Sequence, residues 1–143
     1  MRGVRGVLGG FGLAVGLVVG ATACDTGGTS GASRYCDVVK VVQAGVDPLS
    51  DQAIYGDPAR LQAALEVRVK TYTDLAAAAP KEIRPDADTV RDGVIKVNNA
   101  LKAAGYKSAA ANSDPTVQAV LSDKSLQDAQ SRLGAYDAEH CTG

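Results

Sequence analysis

Residues 84–105 read RPDADTVRDGVIKVNNALKAAG. Val90, Val94, Val97, Leu101 and Ala104 recur at alternating four- and three-residue spacing, which places them on one face of an α-helix. Asp86 and Asp88 fall in the first turn, where the helix dipole favours negative charge. Gly105 suits the left-handed residue that ends many helices. Such a regular apolar stripe is the seam of a helical bundle and sets the fold class as all-α.

Proline and aspartate punctuate the chain on either side. Pro80 closes the preceding segment, because the residue before a proline is pushed out of the α region. That segment opens at Asp57-Pro58, with aspartate as N-cap and proline at the first helical position. Leu61, Leu65, Tyr72, Leu75 and Ala79 form its inward stripe, bordered by Ala64, Arg68 and Ala76. Glu66 and Lys70 make an i,i+4 pair on its outer face. Further upstream, Tyr35, Val38, Val39, Val42 and Val46 repeat at helical spacing. Valine also suits a strand, but Asp37 and Lys40 fall off the apolar face and favour a helix, with Cys36 in its first turn and Pro48 ending it. Downstream, residues 107–112 read as a linker, and Asp114-Pro115 starts a helix through Val117, Val120 and Leu121. After the polar break Ser122-Asp123-Lys124, Ser125 with Asp128 resembles a capping box. Leu126, Ala129, Leu133, Tyr136 and His140 then carry the last helix to Cys141. Residues 115–140 fit one kinked helix or two.

Four amphipathic segments with short connections predict a four-helix up-down bundle over residues 35–141. A chain of 143 residues has room for one domain. Residues 24–143 contain no Phe, Trp or Met, so a core mainly of Ala, Val, Leu and the five tyrosines is expected. Such small side chains bury little apolar area each.

The N-terminus has a different character. Arg2 and Arg5 precede an uncharged apolar run from Val7 to Gly20, and the small residues Ala21-Thr22-Ala23 follow. This is the three-part pattern of a secretory signal. The run is short for a membrane span and is interrupted by Gly9, Gly10, Gly12 and Gly16. Gly20-Ala21-Thr22-Ala23-Cys24 resembles the bacterial lipobox, although Ala21 stands where Leu or Val is usual. The resemblance implies cleavage of residues 1–23 and lipidation of Cys24, giving attachment to the extracytoplasmic face of the cell membrane. Two acyl chains hold a protein stably on a bilayer, whereas one does so only marginally. Residues 25–34, DTGGTSGASR, read as a flexible tether, so residues 24–34 connect anchor to domain. Loss of Arg2 and Arg5 takes the formal net charge from −1 to −3, which gives no electrostatic footprint for nucleic acid.

Three cysteines are an odd number, and assigning Cys24 to the lipid leaves Cys36 and Cys141. In an up-down bundle the start of the first helix and the end of the last lie together, which predicts a Cys36–Cys141 disulfide in an oxidising compartment.

Sharper chemistry finds little support. His140 is the single histidine, and with Asp137 and Ser131 or Ser125 it would need a nucleophile elbow and an oxyanion element, neither of which is visible. Tyr35 and His140 each precede a cysteine of the predicted disulfide and could ligate haem iron, but no pocket lining accompanies them. Asp86, Asp88 and Asp92 lack the glycine-spaced loop of a calcium site. No metal, cofactor or catalytic residue is expected. Tyr35, Tyr72 and Tyr136 fall on inward stripes, while Tyr55 and Tyr106 fall in predicted loops. Tyr35, His140, Tyr55 and Tyr106 are therefore the candidate ligand or partner contacts.

The domain is similar to small helical lipoproteins of actinobacteria, on the strength of Tyr35-Cys36, Ala79-Pro80-Lys81-Glu82-Ile83 and Arg132-Leu133 with Tyr136 and Cys141. That resemblance implies a location and a fold, and assigns no activity to any residue. The expected function is a non-enzymatic, membrane-anchored domain that binds an envelope protein or, alternatively, carries a small apolar ligand.

Overall fold

Aspartate side chains set the helix boundaries. Asp57 accepts hydrogen bonds from the backbone N–H groups of Ala59 (2.9 Å) and Arg60 (3.3 Å), Asp114 from those of Thr116 and Val117, and Asp123 from those of Ser125 and Leu126. Each satisfies donors that the first helical turn leaves without partners. The structure, a computed structural model, describes residues 29–45 and 48–141; these are helical, with no strand among them. The α-helices are α1 (Thr29–Ala44), α2 (Pro58–Ala78), α3 (Arg84–Ala103), α4 (Ser108–Ser113), α5 (Pro115–Leu121) and α6 (Lys124–His140). Two short 3-10 turns, Pro48–Ser50 and Gln52–Gly56, lie between α1 and α2.

Helix α3 is the hub, packing against α2, α6 and α5. Helix α1 lies on α2 and touches α6 more sparsely. A disulfide joins Cys36 to Cys141 with the Cα atoms 5.0 Å apart, as the sequence predicts. The buried side chains fall into two clusters. One surrounds the disulfide and includes Tyr35, Val39, Leu75, Ile83, Val90 and Leu133. The other is built from Ile54, Leu61, Leu65, Leu101, Tyr106 and Val117.

The all-helical class holds, but the described residues contain six helices where four were expected. Residues 107–112 were expected as a linker, but Ser108–Ser113 form α4, an alanine-rich turn whose Ala110 and Ala111 pack on the second cluster. Residues 115–140 are two helices, and the cap of the second is Asp123, which also accepts from Ser125 Oγ at 2.7 Å. The expected Ser125–Asp128 capping box is absent; Asp128 instead takes the Lys124 ammonium at 3.1 Å. Helix α1 begins at Thr29, so residues 29–34 of the expected tether are helical and Cys36 lies beyond the first turn. The expected Glu66–Lys70 pair is replaced by Gln62–Glu66 and Lys70–Asp74, both at the same i,i+4 spacing. Val46 and the whole signal and lipidation segment, including Cys24, lie outside the described residues.

Two helix ends have partners that no periodicity announces. The Arg84 guanidinium donates to the Ala79 carbonyl from Nε (3.1 Å) and Nη2 (2.7 Å), capping the C-terminus of α2 from the start of α3. At the end of α3, the Tyr106 N–H reaches the Leu101 carbonyl (2.7 Å) and the Gly105 N–H the Lys102 carbonyl (3.0 Å). This is the Schellman pattern. Gly105 has φ +65°, which only glycine adopts freely, and Tyr106 follows it at φ +55°. The turn folds the Tyr106 ring against Leu101, so Tyr106, expected in an open loop, is buried.

The disulfide closes a separation of 105 residues in sequence. By the chain-entropy model such a link is worth about 5 kcal/mol at most. The Cys36→Ala/Cys141→Ala variant is expected to melt well below the parent, by up to roughly 20 °C, in non-reducing calorimetry. An unchanged transition would show that helix packing alone fixes α1 to α6.

Candidate functional site

Between the two buried clusters the bundle is not filled. A cleft of about 420 Å³ opens there, walled by Leu65 of α2, Val94 and Val97 of α3, Val120 and Leu121 of α5 and Leu126 of α6. Val94 and Val97, expected on the buried seam, are only half-buried because they face this space. At Gly93 the helices approach closely: a Cβ there would sit 3.1 Å from a Leu126 methyl. The wall is therefore tight at Gly93 and open beyond it.

A second cleft, of about 330 Å³, lies among α1, α2 and α6. Val39, Val42 and Leu75 give it apolar sides, and Tyr35, Asp137 and Gln43 give it a polar end. Gly134, also on its wall, leaves room where a side chain would stand. Val90 and Gln130 line both clefts, so the two adjoin. Val42, expected on the buried stripe of the first helix, is 39 % exposed along the second cleft.

The polar end carries an unusual pair. Tyr35 is fully buried, yet its hydroxyl has no hydrogen-bond partner among the described residues. Asp137 is half-buried, and its Oδ1 is buried and likewise unpartnered. The two groups influence one another without completing a hydrogen bond of ordinary geometry. Burial, then the neighbouring Asp137, push the Tyr35 hydroxyl well above the usual phenol range. Burial also pushes the Asp137 carboxyl up, opposed by the Tyr35 hydroxyl. A buried polar atom left unpaired costs stability, on the order of 1–3 kcal/mol.

Aromatic rings connect this end to the disulfide. Tyr136 meets Tyr35 edge-on at 5.7 Å between centroids and stacks on the His140 ring at 4.2 Å. The structure thus gathers Tyr35 and His140 in one aromatic group, with Tyr136 against both. It does not assemble the serine constellation, because Ser125 is bound to Asp123 at the far end of α6. Tyr55 is half-buried and donates to the Leu49 carbonyl at 3.1 Å, lining the larger cleft with it. Tyr106 lines neither cleft.

The acidic group of α3 is neutralised by arginines. Arg91 binds Asp88 (2.6 Å) and Asp92 (2.8 Å), while Arg132 of α6 makes a bidentate pair with Asp86, at 2.6–3.0 Å. Among the described residues no cluster of His, Cys, Asp and Glu is placed to hold a metal ion, and no helix is long and apolar enough to cross a membrane. Asp137 was weighed from the sequence only as a partner of His140, not of Tyr35, and the Asp86–Arg132 pair was not expected. For Asp137 a signal existed: Tyr35 adjoins Cys36 and Asp137 lies one helical turn before Cys141, so the disulfide itself brings them together.

The two carboxylates oppose each other in sign. Hydrogen bonding to Arg132 lowers the Asp86 carboxyl, so its stabilisation is present above the unfolded carboxylate value and is lost as pH falls below it. Asp137 is raised, so the folded state binds its proton more tightly and stability falls as pH climbs through that window. Asp137→Asn is expected to raise the melting temperature at neutral pH, with the gain vanishing below about pH 4. Asp86→Asn is expected to lower it at neutral pH, the loss also vanishing in acid. Melting curves from pH 3 to 8 check both signs.

Searches against protein-family models, curated proteins and solved structures each find no match.

Proposed function

We propose that the protein is an extracytoplasmic lipoprotein, anchored to a cell membrane through Cys24, whose helical domain binds a small apolar ligand without catalysing a reaction. The observation that carries the ligand reading is the larger cleft. Its volume, about 420 Å³, falls in the range of small-molecule sites, and aliphatic side chains dominate its walls. Of the two functions expected from the sequence, the structure therefore supports the carrier of an apolar ligand over the surface for an envelope protein. Val41 and Val67 are exposed, at 72 % and 56 %, but single exposed valines are common on any protein surface.

The architecture that goes with this reading is a four-helix up-down bundle made of α1, α2, α3 and α6, with α4 and α5 as an insert. Its support is the ring of neighbours, α1 on α2, α2 on α3, α3 on α6 and α6 on α1. The insert holds the second core cluster through Val117 and props the cleft open through Val120 and Leu121. The anchor rests on the charged start, the apolar run and the lipobox-like residues before Cys24.

Two measurements separate anchor from cleft. Cys24→Ala is expected to move the protein from the membrane to the soluble fraction; a variant that stays with the membrane overturns the anchor. An environment-sensitive apolar dye is expected to brighten on the parent and to lose most of that signal on Val94→Trp, which fills the cleft from a half-buried position. Equal signals from both proteins would remove the cleft as a binding site.

A further inference from the structure

We propose that the smaller cleft recognises the ammonium headgroup of a single-chain amphiphile, whose alkyl chain passes Val90 into the larger cleft. The inference deepens the apolar-ligand reading and rests on it. Its first support is the arrangement of the clefts. They adjoin at Val90 and Gln130, and their chemistry is graded along that line. The larger cleft offers Val94, Val97 and Leu121, whereas the smaller one ends on Tyr35 and Asp137. Two neighbouring clefts, one apolar and one polar at its end, match a molecule with a tail and one headgroup.

The second support is the unmet demand at the polar end. Tyr35 and Asp137 both line this cleft; the Tyr35 hydroxyl and Asp137 Oδ1 are buried, act on each other, and make no hydrogen bond of ordinary geometry among the described residues. No lysine, arginine or histidine among the described residues forms an ion pair with Asp137, although Asp86, Asp88, Asp92 and Asp128 each have one. An ionised carboxylate only accepts hydrogen bonds, and a tyrosine hydroxyl accepts as well as donates. A headgroup that brings donors and a positive charge matches the Asp137 carboxylate on the wall of the cleft, with the Tyr35 hydroxyl behind it. A fatty carboxylate brings neither and would place like charge beside Asp137, in a partly desolvated setting where repulsion is strong. Unpaired buried charge is costly and pairing it is favourable, so the headgroup chemistry follows from what the site lacks.

The test uses the full chain and two diazirine-bearing probes of equal chain length, a primary alkylamine and the matching alkanoate, at neutral pH. After photolysis, mass spectrometry locates the label. The amine probe is expected to label residues 39–43 and 130–137 at least roughly tenfold more than the alkanoate, as the worth of a hydrogen bond to a charged group suggests. Asp137→Asn is expected to abolish that preference while the protein melts no lower than the parent. Tyr35→Phe keeps the ring and removes the hydroxyl, and is expected to reduce amine labelling several-fold. Equal labelling by both probes, or a preference that survives Asp137→Asn, overturns the headgroup assignment and leaves the apolar cleft standing. Absence of cleft labelling by either probe overturns the apolar-ligand reading as well.

Discussion

The Cys36–Cys141 bond does work that packing does elsewhere in this bundle. Helix α1 rests mainly on α2 and meets α6 sparsely. In a domain whose helices are held by side-chain interdigitation alone, a gap between two neighbours weakens their attachment. Here a covalent link secures α1 to α6 at one level, and the helices need not close on each other along the rest of their length. The smaller cleft occupies that gap, with Gly134 presenting no side chain to fill it. The disulfide also fixes what stands at the end of the gap. Tyr35 is the neighbour of Cys36 in sequence, and Asp137 is one turn from Cys141. Joining the sulfurs therefore brings the hydroxyl and the carboxylate together.

The residue composition makes such a gap easy to keep. The core has alanine and valine at many positions where a larger domain would place leucine or phenylalanine, and it divides into two clusters. Small side chains on α3 leave the space beside Val94 and Val97 unfilled, although the helix packs on α6 through Ala87 and Val90, on α5 through Leu101, and on Leu126 at Gly93. Between that contact and the Leu101–Val117 packing, Val94 and Val97 face the larger cleft. An exposed valine gives up part of the stabilisation, about 1.5–3 kcal/mol, that full burial would provide. The split core and the cross-link are thus two sides of one design: the apolar surface left open lowers stability, and the disulfide offsets the loss by restricting the unfolded chain.

This also explains which features could be read from the sequence. Local rules transferred directly. Asp57-Pro58 and Asp114-Pro115 cap their helices because capping needs only the aspartate and the next few backbone N–H groups. The cysteine pairing followed from counting and from helix order. Features that depend on how helices meet did not transfer. The four-three repeat of α3 is real, but periodicity shows which residues share a face, not whether a partner covers that face. Val94 and Val97 are therefore on the expected side and still half-open. Tyr106 looked like a loop residue because the Gly105 turn, which folds it inward, is a matter of backbone geometry. Helix α4 carries no apolar period at all, since SAAANS has too few large residues to write one. Asp137 resembled any acidic residue on a solvated helix, and its burial depends on Tyr35 standing opposite, a hundred residues away in the chain.

Asp86 and Asp137 show how differently one residue type behaves across the bundle. Asp86 meets Arg132 between α3 and α6, and the pair favours the folded state. Asp137 sits a turn from the disulfide with its charge partly stripped of water and no ion pair to a cation among the described residues. Stability alone gives no reason for a carboxylate there, because an amide or an apolar side chain of similar size would avoid the desolvation. Nor is it a passive surface charge, since one of its oxygens is closed off from solvent beside a hydroxyl that is equally unpaired. On the proposed reading, a group that destabilises the free protein and stands at the polar end of the smaller cleft has its compensation in the headgroup that enters it. On that reading the placement that makes Asp137 costly also makes it selective: in a partly desolvated site, the energy separating a cationic from an anionic headgroup is larger than it would be in water.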